Sequence, residues 1–175
     1  VPAGLPVHRR LSGHAGPAQR LAWMRRLFAA EPRVTVIDWE VRQGGPVSSL
    51  QTLQWMHDAF PQVVPLWLMG ADAFAGLPSW QGYPAHRRYC NVAVFARAGE
   101  PMPGTMGWHE CDAAAAAGLQ QPGHVTHVNA ELPDISATRL REELAGGQVP
   151  PDWLPEAIAD EVVAAYGHYE RREQV

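Results

Sequence analysis

The chain has 175 residues, 46% of them hydrophobic and 18% charged, with a formal net charge of -4. That length is enough for one domain with a real core, and so small a negative balance gives no ground for a nucleic-acid or membrane-surface partner. Cys90 and Cys111 stand alone, which excludes a CxxC zinc ribbon and a disulfide framework and fits a reducing compartment, so the cytoplasm is the expected location.

No apolar run reaches membrane-spanning length, and no basic segment followed by an apolar one opens the chain. The first residue is Val1 rather than Met, which leaves the natural start open. Residues 1–17 are rich in Pro and Gly and read as loop. Residues 17–30 read as a helix: Leu21, Met24, Leu27 and Phe28 recur at helical spacing, and Pro17 suits a first turn. Val34-Thr35-Val36-Ile37 is a β-branched run and predicts a strand, broken by Gly44-Gly45-Pro46. Ser48 or Ser49 then caps a second helix with Leu50, Leu53, Met56 and Phe60 on its apolar face. Residues 63–69 predict an apolar strand ending at Gly70, followed by a short helix over 72–77, a turn holding Trp80, and a helical turn within 83–89. Val92-Ala93-Val94-Phe95-Ala96 predicts a third strand, residues 101–107 a loop, residues 113–117 a helix, and His124-Val125-Thr126-His127-Val128 a fourth strand. Two helices close the chain, the last carrying Leu154, Ile158, Val162 and Ala165.

Strands and helices alternate, and the strands are short and nearly all apolar, as when both faces are covered. The expected fold is α/β: a Rossmann-like parallel sheet with helices on both faces and right-handed crossovers. Neither a repeat nor an internal boundary interrupts it, so one domain is expected over residues 1–175.

The stretch Ile135-Ser136-Ala137-Thr138-Arg139-Leu140-Arg141-Glu142 concentrates two hydroxyls and two guanidiniums at a helix start. Leu140 and Leu144 are four apart and can share a buried face, Pro133 and Asp134 precede, and Gly146-Gly147 end it. A helix start offers unpaired N–H groups and partial positive charge, so it attracts phosphate. Ser136 and Thr138 add short donors there, and Arg141 adds a planar fork matched to phosphate oxygens. A capped helix with solvated arginines is the competing reading, since Ser is a common N-cap.

In open α/β sheets ligands lie beyond the carboxyl ends of the strands. Gly70 and Asp72 follow one such end: Gly70 lets backbone approach a ligand, and Asp72 either bonds a ribose hydroxyl or caps the short helix. Trp80 can stack a flat ring or plug a core edge. His8 and Arg9 belong to the basic loop segment Pro6-Val7-His8-Arg9-Arg10, which contacts phosphate or is solvated. Arg97 ends the third strand, at the ligand edge or simply at the surface. Eight histidines invite a metal, yet His124 and His127 face opposite sides of a strand, and no His, Cys and carboxylate set has zinc spacing. No intrinsic metal site is expected. Walker A, GxGxxG after a strand, and GxSxG are all absent.

Taken together these segments resemble bacterial nicotinate-nucleotide adenylyltransferase, over nearly the whole chain. Leu5-Pro6-Val7-His8-Arg9 looks like that family's Pro-Pro-His-Lys/Arg loop, and Ser48-Ser49-Leu50-Gln51-Thr52-Leu53 like its Ser-Tyr-Thr-x-x-Thr-Leu segment. Met69-Gly70-Ala71-Asp72-Ala73-Phe74 through Leu77-Pro78-Ser79-Trp80 resembles its Gly-x-Asp…Leu-Pro-x-Trp stretch. Residues 135–141 resemble Ile-Ser-(Ser/Ala)-Thr-x-(Ile/Leu)-Arg, and Asp152-Trp153-Leu154-Pro155 the Leu-Leu-Pro turn before the last helix.

The resemblance implies a nucleotidyltransferase-type fold and adenylyl transfer from ATP to nicotinate mononucleotide, with Mg²⁺ accompanying ATP. It implies that Ser136, Thr138 and Arg141 hold the ATP phosphates, with His8 and Arg9 over them and Arg97 nearby. Asp72, after Gly70, would lie near the ribose, and Trp80 would stack on the pyridine. Ser49 stands where the family usually has a Thr that binds the pyridine carboxylate. One departure is plain. The family's opening strand and its Gly-(Gly/Ser)-(Thr/Ser)-Phe-Asp-Pro-x-His-x-Gly-His segment are not in this chain, and Ser12-Gly13-His14 does not replace them. A missing opening βα unit amounts to roughly 30 residues or more; a truncated record of a complete enzyme is expected rather than a protein that lost its catalytic strand. The alternatives are a related enzyme acting on nicotinamide mononucleotide or phosphopantetheine, and a degenerate nucleotide-binding module. Whether the protein forms a homo-oligomer is left open.

Overall fold

The computed structural model describes residues 1–5, 15–96, 101–116, 118–130, 132–133, 135–150 and 152–167. They fall into two compact units, Val1–Val47 with Ile135–Val175, and Ser48–Asp134.

The second unit carries the sheet. Its strands are β1 (Leu66–Gly70), β2 (Asn91–Phe95), β3 (His109–Glu110) and β4 (His124–Val128), in the order β1-β2-β4-β3 and parallel at every pairing. The register sets Trp67 beside Val92 beside Val125, and Met69 beside Val94 beside His127. Alternate residues of a strand share a face, so both rows point the same way. Three helices lie in this unit: α3 (Ser49–Ala59), α4 (Ala71–Gly76) and α5 (Ala113–Ala116). Leu53 of α3, Phe74 of α4 and Leu77 just after it join Met69, Val92, Val94, Val125 and Trp108 in one buried cluster. On the opposite face, Ala93 and Thr126 are buried as well. Both faces of the middle strands are therefore covered, as the apolar runs led one to expect. Leu68 of the edge strand shares that second face and is 63% exposed.

Local chemistry explains the start of α3. The Ser48 hydroxyl accepts from the Gln51 N–H while the Gln51 side chain accepts from the Ser48 N–H, a complete capping box. The cap is thus Ser48, which frees Ser49 to be the first helical residue. Gly82 stands opposite, at φ +85, and a Cβ there would lie 2.3 Å from Leu50 Cδ2. Only glycine gives both that dihedral and that approach.

The other unit holds α1 (Pro17–Leu27), α2 (Trp39–Arg42), α6 (Ala137–Ala145) and α7 (Ala159–Tyr166). Ala15, Trp23, Leu144, Ile158 and Val162 form its core, with Leu140 packed against them; the four-residue spacing of Leu140 and Leu144 had marked that face. Glu161 ties α7 to α1, accepting from Trp23 Nε1 at 2.8 Å and pairing with Arg26. Asp38 receives Arg25 at 2.8 Å and Arg42 at 3.0 Å.

Three elements differ from the expectation. Val34-Thr35-Val36-Ile37 forms no strand, and the two-residue β3 joins the sheet in its place. The β-branched run ranks high in strand propensity, but propensity expresses fit to a pleated surface beside a partner. Among the described residues none pairs with it, and Val34 is 40% exposed and closes a turn onto the Glu31 carbonyl. The short α2 gave no periodic signal because it spans only four residues. No helix among the described residues is long and apolar enough to cross a membrane.

Phe74 is fully buried in the sheet-bearing unit. Phe74→Ala should cost about 3–5 kcal/mol of unfolding free energy, against about 1 kcal/mol for Ser48→Ala, which removes only the cap. Urea titrations of both variants check the ranking.

Candidate active site

The carboxyl edge of the sheet is where chemistry is expected, and β1 ends there at Gly70, level with Phe95 of β2. Gly70 is also the N-cap residue of α4, with no side-chain capping bond. Asp72 sits in the first turn of that helix, where negative charge is favoured. Its carboxylate turns back over Gly70: a Cβ on Gly70 would lie 2.7 Å from Asp72 Oδ1. Glycine at 70 is therefore what lets the carboxylate hold this place. Both residues are exposed and open to a ligand.

Ser49 and Trp80 belong to a second group in the same unit. The Ser49 hydroxyl lies 3.0 Å from His86 Nε2. His86, in the 3₁₀ turn Ala85–Arg88, is fully buried, and its ring stacks on Trp67 of β1 at 6.1 Å and 21°. Trp67 meets Trp80 edge-on at 5.8 Å. Ser49 and Trp80 thus stand at the two ends of one run of contacts, hydroxyl to imidazole to indole to indole. Both end residues remain part-exposed. Tyr83 closes the group: its ring lies near His86, its hydroxyl donates to the Met106 carbonyl at 2.9 Å, and Arg87 lies over its face.

Burial pushes the His86 imidazole below its ordinary range, so it is neutral at pH 7. Its Nδ1 is buried and finds no hydrogen-bond partner among the described residues. Burial also pushes the Cys90 thiol up to about 12, which leaves it an inert core residue.

In the other unit, Ser136 is the N-cap of α6 and its hydroxyl accepts from the Arg139 N–H at 3.4 Å. The capping reading of that Ser is therefore realised, by a long bond. Thr138 is exposed on the first turn. Arg141 lies 5.9 Å over the Tyr166 ring, and no carboxylate among the described residues pairs with it. A cation held face-on by a ring keeps its edge N–H groups available for an anion. Arg139 is spent differently, over Trp153 and 3.7 Å from Glu143. His8, Arg9 and Arg97 lie outside the described residues. Among the described residues no three His, Cys, Asp or Glu side chains gather to hold a metal ion.

No family model matches the chain. Single relatives do. A protein of Chromobacterium violaceum named "probable nicotinate-nucleotide adenylyltransferase" is 32% identical over 172 residues, covering 95% of this chain and 79% of the relative. The chain belongs to the nicotinate-nucleotide adenylyltransferase family. A relative of the same name from Neisseria meningitidis serogroup B is 31% identical over 171 residues, across 98% of this chain and 82% of its own length. One from Syntrophotalea carbinolica is 28% identical across 99% of the chain. The parallel sheet fits this adenylyltransferase family, and the chain is an enzyme of it.

Sequence reasoning missed His86, Trp67 and Tyr83. His86 is 37 residues from Ser49 and carries no motif around it, and Trp67 reads as one more apolar strand position. Only the closure of α3 against the turn at 85–88 brings them together.

The His86 shift has a sign. In the unfolded chain an imidazole takes up a proton below about pH 6.5; buried in the fold it stays neutral to lower pH. The unfolded state binds more protons in that window, so stability falls as pH drops from about 6.5 through the folded value. Urea unfolding followed between about pH 7.5 and about pH 5 should show this acid-side loss, and a flatter curve for His86→Phe.

Proposed function

We propose that this chain, as one nucleotidyltransferase-like domain over residues 1–175, transfers the adenylyl group of ATP to nicotinate mononucleotide in NAD biosynthesis. The observation that carries the proposal is 32% identity over 95% of the chain to a relative bearing that activity in its name. The 5′-phosphate oxygen of the mononucleotide attacks the α-phosphorus of ATP. The new P–O bond gives nicotinate adenine dinucleotide, the bond to the β-phosphate breaks, and pyrophosphate leaves. Such a step needs alignment and charge neutralisation more than a covalent nucleophile.

The residues singled out in the sequence suit that task. Arg141, with no carboxylate to neutralise it among the described residues, and the exposed Thr138 supply donors for the ATP phosphates, together with Ser136 and the first turn of α6. His8 and Arg9 join them over the phosphates, His8 and Arg141 neutralising charge that develops in the transition state. Gly70 and Asp72 take the ribose at the carboxyl end of β1. Trp80 offers its exposed part to the pyridine, and Ser49 and Arg97 take the acidic end of that substrate. Mg²⁺ enters with ATP as part of the substrate, held by phosphate oxygens and water, which asks for no dedicated carboxylate cage. Free thiols and an ATP substrate fit the cytoplasm.

The full-length gene product with Mg²⁺, ATP and nicotinate mononucleotide should release pyrophosphate and dinucleotide in equal amounts; no dinucleotide from either nicotinate or nicotinamide mononucleotide overturns the assignment. Arg141→Ala should lower kcat/KM with ATP by about 100-fold or more, while unfolding free energy drops by no more than about 1 kcal/mol, the worth of an exposed cation–π contact. Trp80→Ala should raise the KM for mononucleotide about tenfold and leave kcat nearly unchanged, because stacking acts in ground and transition states alike. Steady-state kinetics beside a melting curve separates these outcomes.

A further inference from the structure

His86 is fully buried, yet no carboxylate among the described residues pairs with it. One ring nitrogen meets the Ser49 hydroxyl at 3.0 Å, the other is buried with no partner among the described residues, and the ring is clamped flat on Trp67. A neutral imidazole carries one N–H and one bare nitrogen. With the proton on Nδ1, an N–H donor would be stranded in the interior. With the proton on Nε2, only a lone pair is left unsatisfied, and buried donors without partners are the rarer case. The orphaned Nδ1 thus favours the second tautomer. In it Nε2–H donates to Ser49 Oγ, so the Ser49 hydroxyl cannot spend its own proton on the ring. Ser49 is part-exposed, which leaves that proton free for a group on its open side.

We propose that His86 is a positioning residue: it holds Ser49 as a donor toward the acidic ring substituent that the proposed function already assigns to Ser49. This rests on the reading that Ser49 faces the mononucleotide. A hydroxyl committed as donor gains most from a charged acceptor. An amide can turn its carbonyl to the same hydroxyl but brings no charge to it. The Trp67 stack gives the imidazole a fixed plane, and Trp67 also carries Trp80, so one indole holds the hydroxyl donor and the stacking ring in one arrangement.

The test uses the full-length enzyme and three variants, with KM and kcat for nicotinate mononucleotide, nicotinamide mononucleotide and ATP. Ser49→Ala should raise the KM for nicotinate mononucleotide by about tenfold or more, with the KM for ATP unchanged. His86→Phe keeps the stacked ring and removes the donor. It should raise the same KM several-fold, narrow the preference for acid over amide, and add nothing on top of Ser49→Ala in the double variant. His86→Gln, which keeps an N–H donor at similar reach, should recover part of the loss. If Ser49→Ala leaves the KM for nicotinate mononucleotide unchanged, the reading of Ser49 has failed and the proposal falls with it. If Ser49→Ala raises that KM but His86→Phe does not, or if the two effects add, the role of His86 alone is overturned. An equal rise in the KM for ATP in His86→Phe would also overturn it, as the mark of a merely structural residue. Nitrogen-15 NMR of the imidazole in the unaltered enzyme needs no variant to fold: an Nε2–H tautomer supports the proposal, and an Nδ1–H tautomer overturns it.

Discussion

Met69, Val94 and His127 stand in one row across three parallel strands, and Trp67, Val92 and Val125 in the row before it. The pleat sends both rows to one face, and it is against this face that Leu53, Phe74 and Leu77 are buried. A one-residue slip of β1 would exchange Trp67 and Met69 for Leu66 and Leu68. The indole that stacks His86 and meets Trp80 would then turn to the opposite side. The register of a short parallel ladder thus decides both where the core lies and whether the Ser49 group exists.

Much of this fold could be read from residue order. The apolar runs that hold Trp67, Val92 with Val94, and Val125 were legible as strands because they are short, apolar and flanked by Gly or Asn, which separates them from buried helices. A cap at Ser48 or Ser49 and the Leu140–Leu144 stripe were legible for local reasons, a hydroxyl before an apolar helical pattern and a spacing of four; the Gln51 side chain decides for Ser48. What escaped was decided at a distance. Val34 to Ile37 have the composition of a strand but no partner among the described residues, and His109-Glu110 become a strand only because His124 and Val125 lie alongside.

The candidate site divides along the same line. Gly70, Asp72, Trp80 and the segment from Ser136 to Arg141 announced themselves because each is a short motif with chemistry packed into a few positions. Their surroundings did not: that Arg141 rests on Tyr166 rather than on an acid, or that Ser49 leans on a buried imidazole, depends on contacts between segments 25 and 37 residues apart. Motifs gather reactive groups into a few neighbouring positions; the contacts that hold those groups are scattered, and a single sequence hides them.

Gly70 and Asp72 share a space that only one of them can fill. The carboxylate occupies the volume a β-carbon would need, so a lineage can gain a side chain at the first position only by surrendering the acid's posture at the second. An alanine at the first position would thus announce a displaced carboxylate at the second before any assay was run.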